Sequence, residues 1–373
     1  MRLAIVTAGI MALFVSGCAT SGSKAPVTAP APPAPQAVRS YNGSASVGDF
    51  LTMTLDPNNK TITYSNVSNG DSGTVSYEVQ ANGTYTINDP TGNFISAYEV
   101  PNYGLFLEAN QVGPNRDTKA LVTSVASTPI SIADAVNQNF NYIQFRTSQG
   151  GVEIGTAGMD SQGNISVSSY WPFGDYYLGI PFQAGTYVGS EIQADPSGTF
   201  LKVVDGAGQV SYIFGTANEF IADRPDGTML GFQKTTTKDF DPTFSGTYST
   251  TVYQKVAASS NQGSVESGSQ SFDHGSLTIS ANGQLTISNS HEQVLAEGTL
   301  VPVSDVPQLY NGGVFSLSDP CYGLFTFQVM TPTSQQNVYV AFEGHSVAFA
   351  SFKTALPQDR SKTYEYFYGV AVQ

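Results

Sequence analysis

The chain has 373 residues, 40% of them hydrophobic and only 12% charged, with a net charge of −14. That length allows two or three domains with sizeable cores. The acidic surface repels phosphate backbones, which excludes nucleic acid as a partner. Charge at half the usual share of about 25% leaves Ser, Thr, Asn, Gln and Gly to cover most of the surface.

Arg2 precedes an apolar run of 13 residues, Leu3 to Val15. A membrane-spanning helix needs about 20, so the pattern reads as a secretory signal and not as a span. The run ends in Val15-Ser16-Gly17-Cys18. This start resembles the signal peptide and lipobox of bacterial lipoproteins. The resemblance implies a signal peptide over 1–17, cleavage before Cys18 and a diacylglycerol on its thiol, with the bilayer as a partner. Several acyl chains anchor firmly where one is marginal, each buried methylene adding about 0.8 kcal/mol. Residue 19 is Ala and not Asp; in the common Gram-negative type this implies transport to the outer membrane. With Cys18 lipidated, Cys321 has no intramolecular partner, which excludes a disulfide framework.

The stretch 18–39 then reads as lipidated Cys plus tether. Its Pro/Ala-rich part, through Thr28-Ala29-Pro30-Ala31-Pro32-Pro33-Ala34-Pro35, predicts extended chain at about 3.1 Å per residue.

Beyond the tether, strands and turns dominate. Leu51, Met53 and Leu55 alternate with Thr52 and Thr54; Leu277 and Ile279, then Leu285 and Ile287, do the same. Period-two alternation puts one face on a core. Asn69-Gly70, Asn82-Gly83, Asp205-Gly206, Asp226-Gly227 and Asn282-Gly283 predict tight hairpins. Ser131-Ile132-Ala133-Asp134 predicts one short capped helix between modules. The pattern repeats about every 100 residues. Gly83-Thr84-Tyr85, Gly185-Thr186-Tyr187 and Gly298-Thr299-Leu300 match one another. So do Tyr103-Gly104-Leu105-Phe106 and Tyr322-Gly323-Leu324-Phe325, with Gly198-Thr199-Phe200-Leu201 as a weaker copy. The expectation is an all-β chain of tandem antiparallel barrel or sandwich modules over 40–130, 140–234 and 242–373, with a β-propeller as the alternative. The pattern is similar to small lipocalin-type barrels.

The chemistry is sparse. Gly70-Asp71-Ser72-Gly73 matches the tetrapeptide around the nucleophile of chymotrypsin-like proteases, but every histidine follows it in the chain, the wrong order for that family. It reads as a hairpin tip. His274, His291 and His345 read as surface or turn residues, and their spacing fits no metal motif. Asp223, Asp226, Asp239 and Asp241 read as solvated turn carboxylates. Cys321, in Asp319-Pro320-Cys321-Tyr322-Gly323, reads as a buried small residue. The densest unusual feature is Tyr170-Trp171-Pro172-Phe173-Gly174-Asp175-Tyr176-Tyr177. Pro and Gly predict a loop there. Tyr170, Trp171, Phe173, Tyr176 and Tyr177 then become candidate binding residues, since exposed aromatics anchor partners, or else a plug in a barrel end. No catalytic residue, metal or cofactor is expected. The reading is a non-catalytic envelope lipoprotein that binds a protein, a glycan or a small hydrophobic ligand. The alternatives are an exported hydrolase of cell-wall or environmental polymer and a structural spacer.

Overall fold

The structure is a computed structural model. It describes residues 36–110, 119–146, 151–173, 180–188, 191–216, 218–225, 227–257, 269–305, 308–310, 313–315, 321–330, 334–355 and 364–373.

Three meanders follow one another. The first runs through β1 (Arg39–Ala45), β2 (Asp49–Asp56), β3 (Thr61–Asn66), β4 (Ser72–Val79), β5 (Thr84–Asn88), β6 (Phe94–Val100), β7 (Gly104–Asn110) and β8 (Lys119–Ala126). It closes into a barrel where β1 pairs antiparallel with β8, Tyr41 opposite Ala126. A short helix, α1 (Ile132–Ala135), leads to the second.

The second comprises β9 (Asn139–Arg146), β10 (Gly151–Met159), β11 (Ile165–Phe173), β12 (Ile180–Tyr187), β13 (Ile192–Ala194), β14 (Leu201–Val204), β15 (Val210–Gly215), β16 (Glu219–Arg224) and β17 (Gly227–Gln233). Its first and last strands pair, Gln144 opposite Met229, and β12 and β13 are the two edges of the sheet.

The third comprises β18 (Gly246–Ala257), β19 (Ser269–Ile279), β20 (Gln284–Ser288), β21 (Val294–Thr299), β22 (Val301–Pro302), the separate hairpin β23 (Gln308–Tyr310) and β24 (Gly313–Phe315), β25 (Leu324–Met330), β26 (Ser334–Glu343), β27 (Ser346–Ala355) and β28 (Tyr364–Val372). β28 closes it against β18, Tyr253 opposite Tyr368. Its edges are β21 and β22, and β21 lies beside β25. The fold is therefore three tandem barrel-like sheets, the first of them fully closed, and not a propeller.

The Asn82-Gly83 and Asn282-Gly283 pairs turn hairpins as predicted. Gly83 N–H donates to the Gln80 carbonyl and Gly283 N–H to that of Ser280, so each Asn-Gly is the second half of a four-residue turn. The closing Gly has positive φ, +83° and +77°, which a side chain would strain. In Asp205-Gly206 the positive φ falls on Gly208 instead. Asp-x-x-Gly turns recur at Asp89–Gly92, Asp160–Gly163, Asp195–Gly198 and Asp205–Gly208, and each Asp carboxylate accepts from the backbone N–H two residues on. That bond is the Asx turn, which fixes the chain reversal locally.

The matched repeats do not all fall on equivalent strands. Tyr103–Phe106 leads into β7, next to last in its barrel, whereas Tyr322–Phe325 leads into β25, fourth from last. Local turn chemistry, not barrel position, sets the resemblance.

The largest apolar cluster lies between the barrels and not inside any one. It joins Phe50, Phe106, Leu121 and Val125 of the first to Ile143, Phe145, Phe200, Phe214 and Ile221 of the second and Tyr253, Tyr339, Tyr368 and Val370 of the third. Phe50 stacks on Tyr212 with centroids 4.5 Å apart, and Phe145 on Tyr368 at 4.1 Å. Strands in this seam bury both faces. Val338–Phe342 and Val347–Ala350 are accordingly continuous apolar runs instead of alternating ones. Burial of outer barrel faces also accounts for a chain this poor in charge.

Candidate functional site

The three barrels fill their interiors differently. The third is packed with one cluster that includes Tyr248, Phe325, Phe327, Phe342, Phe349 and Phe367. The first has one apolar cluster and closes an end with a polar network. Glu99 on β6 pairs with Arg39 Nε at 2.5 Å and Nη2 at 2.8 Å, and accepts from Tyr41 Oη at 2.5 Å and Tyr85 Oη at 2.6 Å. The hydrogen bonds from Arg39, Tyr41 and Tyr85 outweigh burial, so the Glu99 carboxyl stays below its ordinary range. Tyr41 and Tyr85 are pushed up, by burial first and then by Glu99.

The middle barrel differs. At one end Tyr142 Oη donates to the buried Glu153 at 2.7 Å. Its interior core falls into two separate clusters, one around Phe140, Ala157, Phe220 and Met229, the other around Met159, Ile192, Leu201 and Val203. A pocket lies between them. It has an inner cavity of about 60 Å³ within about 560 Å³ of space that is partly open to solvent. Its walls are Phe140, Ala157, Met159, Leu201, Ile213 and Phe220. Phe140 and Phe220 meet edge to face at 4.9 Å. The small side chain of Ala157 leaves room at this point of the barrel.

The linker before β9 crosses the mouth. Ile130 N–H donates to the Gly198 carbonyl at 2.9 Å and Asn137 N–H to that of Met159 at 2.8 Å, pinning both ends. Between them Ile130, Ile132, Ala135 and Val136 pack half-buried on the barrel interior. Helix α1 starts as expected, with the Asp134 carboxylate accepting from Ser131 N–H at 3.0 Å and Oγ at 2.7 Å. The rim therefore carries two polar side chains, Asp134 and Thr216, each already bonded to its neighbours. The arrangement suits a small apolar group that enters past the linker.

The sequence-derived candidates lie elsewhere. Cys18, Tyr176 and Tyr177 fall outside the described residues. Tyr170, Trp171 and Phe173 lie on β11 and not on a loop, with Trp171 opposite Ile180 and Phe173 opposite Val152. Register shifts between Val152 and Ile154 and between Ser169 and Trp171 absorb the irregularity that Pro172 brings near the strand's end. Asp223 is not a solvated turn residue; it is 2% exposed on β16. His274 is half-buried on β19, its Nδ1 3.2 Å from Thr251 Oγ1, while His291 and His345 are exposed. Cys321 is buried at positive φ. Ser72 opens β4 at an exposed position. Among the described residues no group of three or more His, Cys, Asp and Glu is placed to hold a metal, and no helix is long and apolar enough to cross a membrane. Sequence reasoning missed the pocket walls. The one trace in the sequence is Ala157-Gly158, two small residues on a core strand, which alone does not mark a cavity.

No family model and no curated protein matches the chain. Among solved structures it resembles a double mutant of Transferrin Binding Protein B from Haemophilus parasuis Hp5, at 9% identity and TM-score 0.25, over 91% of this chain and 76% of that one. The isotype 1 protein of serogroup B Neisseria meningitidis matches at 10% identity and TM-score 0.21, over 87% and 64%. The DNA polymerase III subunit beta from Pseudomonas aeruginosa matches at 8% and 0.13, over 90% and 92%. Superpositions this loose carry no argument about fold or function.

Proposed function

We propose that the chain is a non-catalytic, lipid-anchored binding protein of the bacterial envelope whose middle barrel takes a small apolar ligand. The signal and lipobox pattern ending at Cys18 supports the anchor, and Ala19 supports the outer membrane as its place. The tether holds the barrels off the bilayer. The observation that carries the binding reading is the apolar cavity that divides the core of the middle barrel. Its inner volume suits a short alkyl chain or a single ring. Burying four to six methylenes contributes about 3–5 kcal/mol, which corresponds to a Kd on the order of 1 mM for a chain with no other contacts. A hydrolase would need reactive groups at the cleft, whereas the rim polar groups are engaged with their own turns.

Equilibrium dialysis of radiolabelled n-decanol against the purified chain tests this. One saturable site is expected, and Ala157→Leu, which fills the cavity, removes it while the protein stays folded. Absent saturable uptake, or undiminished uptake by Ala157→Leu, contradicts the reading. Palmitate labelling that survives Cys18→Ser contradicts the anchor.

A further inference from the structure

β16 runs along the seam where the three barrels meet, and its outward positions are Glu219, Ile221 and Asp223. Ile221 is buried in the shared cluster. The Glu219 carboxylate accepts from Tyr103 Oη of the first barrel at 2.8 and 2.9 Å and from Ser346 Oγ of the third at 3.0 Å. Asp223 accepts from Ser44 Oγ of the first barrel at 2.7 Å, and that oxygen lies 2.7 Å from Thr228 Oγ1. Every one of these partners is a hydroxyl. The titratable groups acting on Glu219 are Tyr103, from the turn before β7, and Glu343, at the end of β26; Asn218 hydrogen-bonds Glu343. Asp49 of β2 is the charged neighbour of Asp223.

We propose that this stripe is a proton-operated clasp, in which protonated Glu219 locks the three barrels together and its ionisation loosens their junction. A hydroxyl both donates and accepts, so Tyr103 and Ser346 serve a carboxylic acid as well as a carboxylate. In the acid form Glu219 donates to one of them and no charge is buried. In the ionised form a carboxylate sits in the seam with Glu343 nearby and no cation among its hydrogen-bond partners, which is costly. Burial pushes Glu219 up to about 7 against the pull of Tyr103 and Ser346, and Glu343 adds to the rise. Burial likewise holds Asp223 well above the usual carboxylate range. The folded-state pKa lies above the unfolded one. The stabilisation is therefore complete below about pH 4.5 and is lost as pH rises through about 7. The clasp does not depend on the cavity holding a ligand.

Urea unfolding of the full chain between pH 5.5 and 8 tests it, with wild type, Glu219→Gln and Tyr103→Phe compared. In wild type the unfolding constant rises with pH, by up to about tenfold per unit while Glu219 titrates. Glu219→Gln flattens that rise and is more stable than wild type at pH 8. Tyr103→Phe, which removes a donor to the ionised form, moves the rise to higher pH. A Glu219→Gln profile parallel to wild type would overturn the proposal. Should that variant fail to fold, a Tyr103→Phe profile identical to wild type overturns it equally.

Discussion

In both the first and the middle barrel the first strand pairs with the last, but only the first closes fully, the middle sheet ending at edges β12 and β13, and their interiors differ as well. The first keeps one apolar cluster, and Arg39, Tyr41, Tyr85 and Glu99 satisfy one another at one end. Its own pocket is smaller, about 40 Å³, with Asp49, Asn66, Asp71 and Asn93 in the wall. The middle one is divided, and a linker instead of a side-chain network covers its mouth. A barrel of eight or nine strands is just wide enough to be either packed solid or left with room for one small ligand. The choice rests on a few positions. The third barrel packs Phe325, Phe327 and Phe349 into one cluster, whereas two small residues, Ala157 and Gly158, border the middle barrel's cavity.

The contrast can be broken at Glu99. Glu99→Ala leaves the half-buried Arg39 and the Tyr41 and Tyr85 hydroxyls without their acceptor and is expected to destabilise the first barrel by about 3 kcal/mol in urea unfolding. The same residue gives the first barrel an acid limit. The Glu99 carboxyl is held low by Arg39 and two tyrosines, so its contribution is present above about pH 4.5 and lost as pH falls below that. This is the opposite sign to Glu219. Unfolding midpoints of Glu99→Gln are expected to show a weaker acid decline than wild type; an unchanged decline would remove Glu99 from the account.

A matched pair sharpens the comparison next. Leu107 in the first barrel and Leu201 at the cavity are each 1% exposed. Truncating leucine costs about 2–5 kcal/mol, depending on the void left behind. Leu107→Ala is expected near the upper end and Leu201→Ala near the lower, because Leu201 already faces empty space on one side. Equal losses would mean that the middle barrel is as tightly packed as the first.

The smallest effects come from two glycines. A Cβ at Gly231 would collide with the Phe220 ring, and one at Gly298 with the Phe327 ring. Phe220 borders the cavity and has somewhere to go; Phe327 sits in the filled third barrel. Gly298→Ala is expected to cost about 2–3 kcal/mol and Gly231→Ala about 1. Gly231→Ala should also abolish decanol uptake by driving Phe220 into the void. Reversed costs would contradict the placement of the empty space.

Much of the architecture was legible in the chain. Period-two alternation from Leu51 to Leu55 and from Leu277 to Ile287 gave strands, and Ser131 with Asp134 gave the one short helix. The seam was harder to read. Phe106, Ile143 and Ile221 face out of their own barrels, and only their packing against another barrel explains them. Asp223 looked solvated because a carboxylate near Asp-Gly usually is; its burial depends on Ser44, 179 residues away. The cavity was invisible because an absence of volume leaves only a small residue, and Ala157 in a strand is not by itself a signal.

Methyl NMR of the full chain labelled at its methionines probes the divided core most directly. Met159 borders the cavity in the middle barrel, and Met53 sits in the first barrel's apolar cluster and does not line that barrel's smaller pocket. On titration with n-octanol, the Met159 resonance is expected to shift saturably while that of Met53 stays in place. A Met159 signal that does not respond, or one that moves no more than Met53, would contradict a vacant interior in the middle barrel.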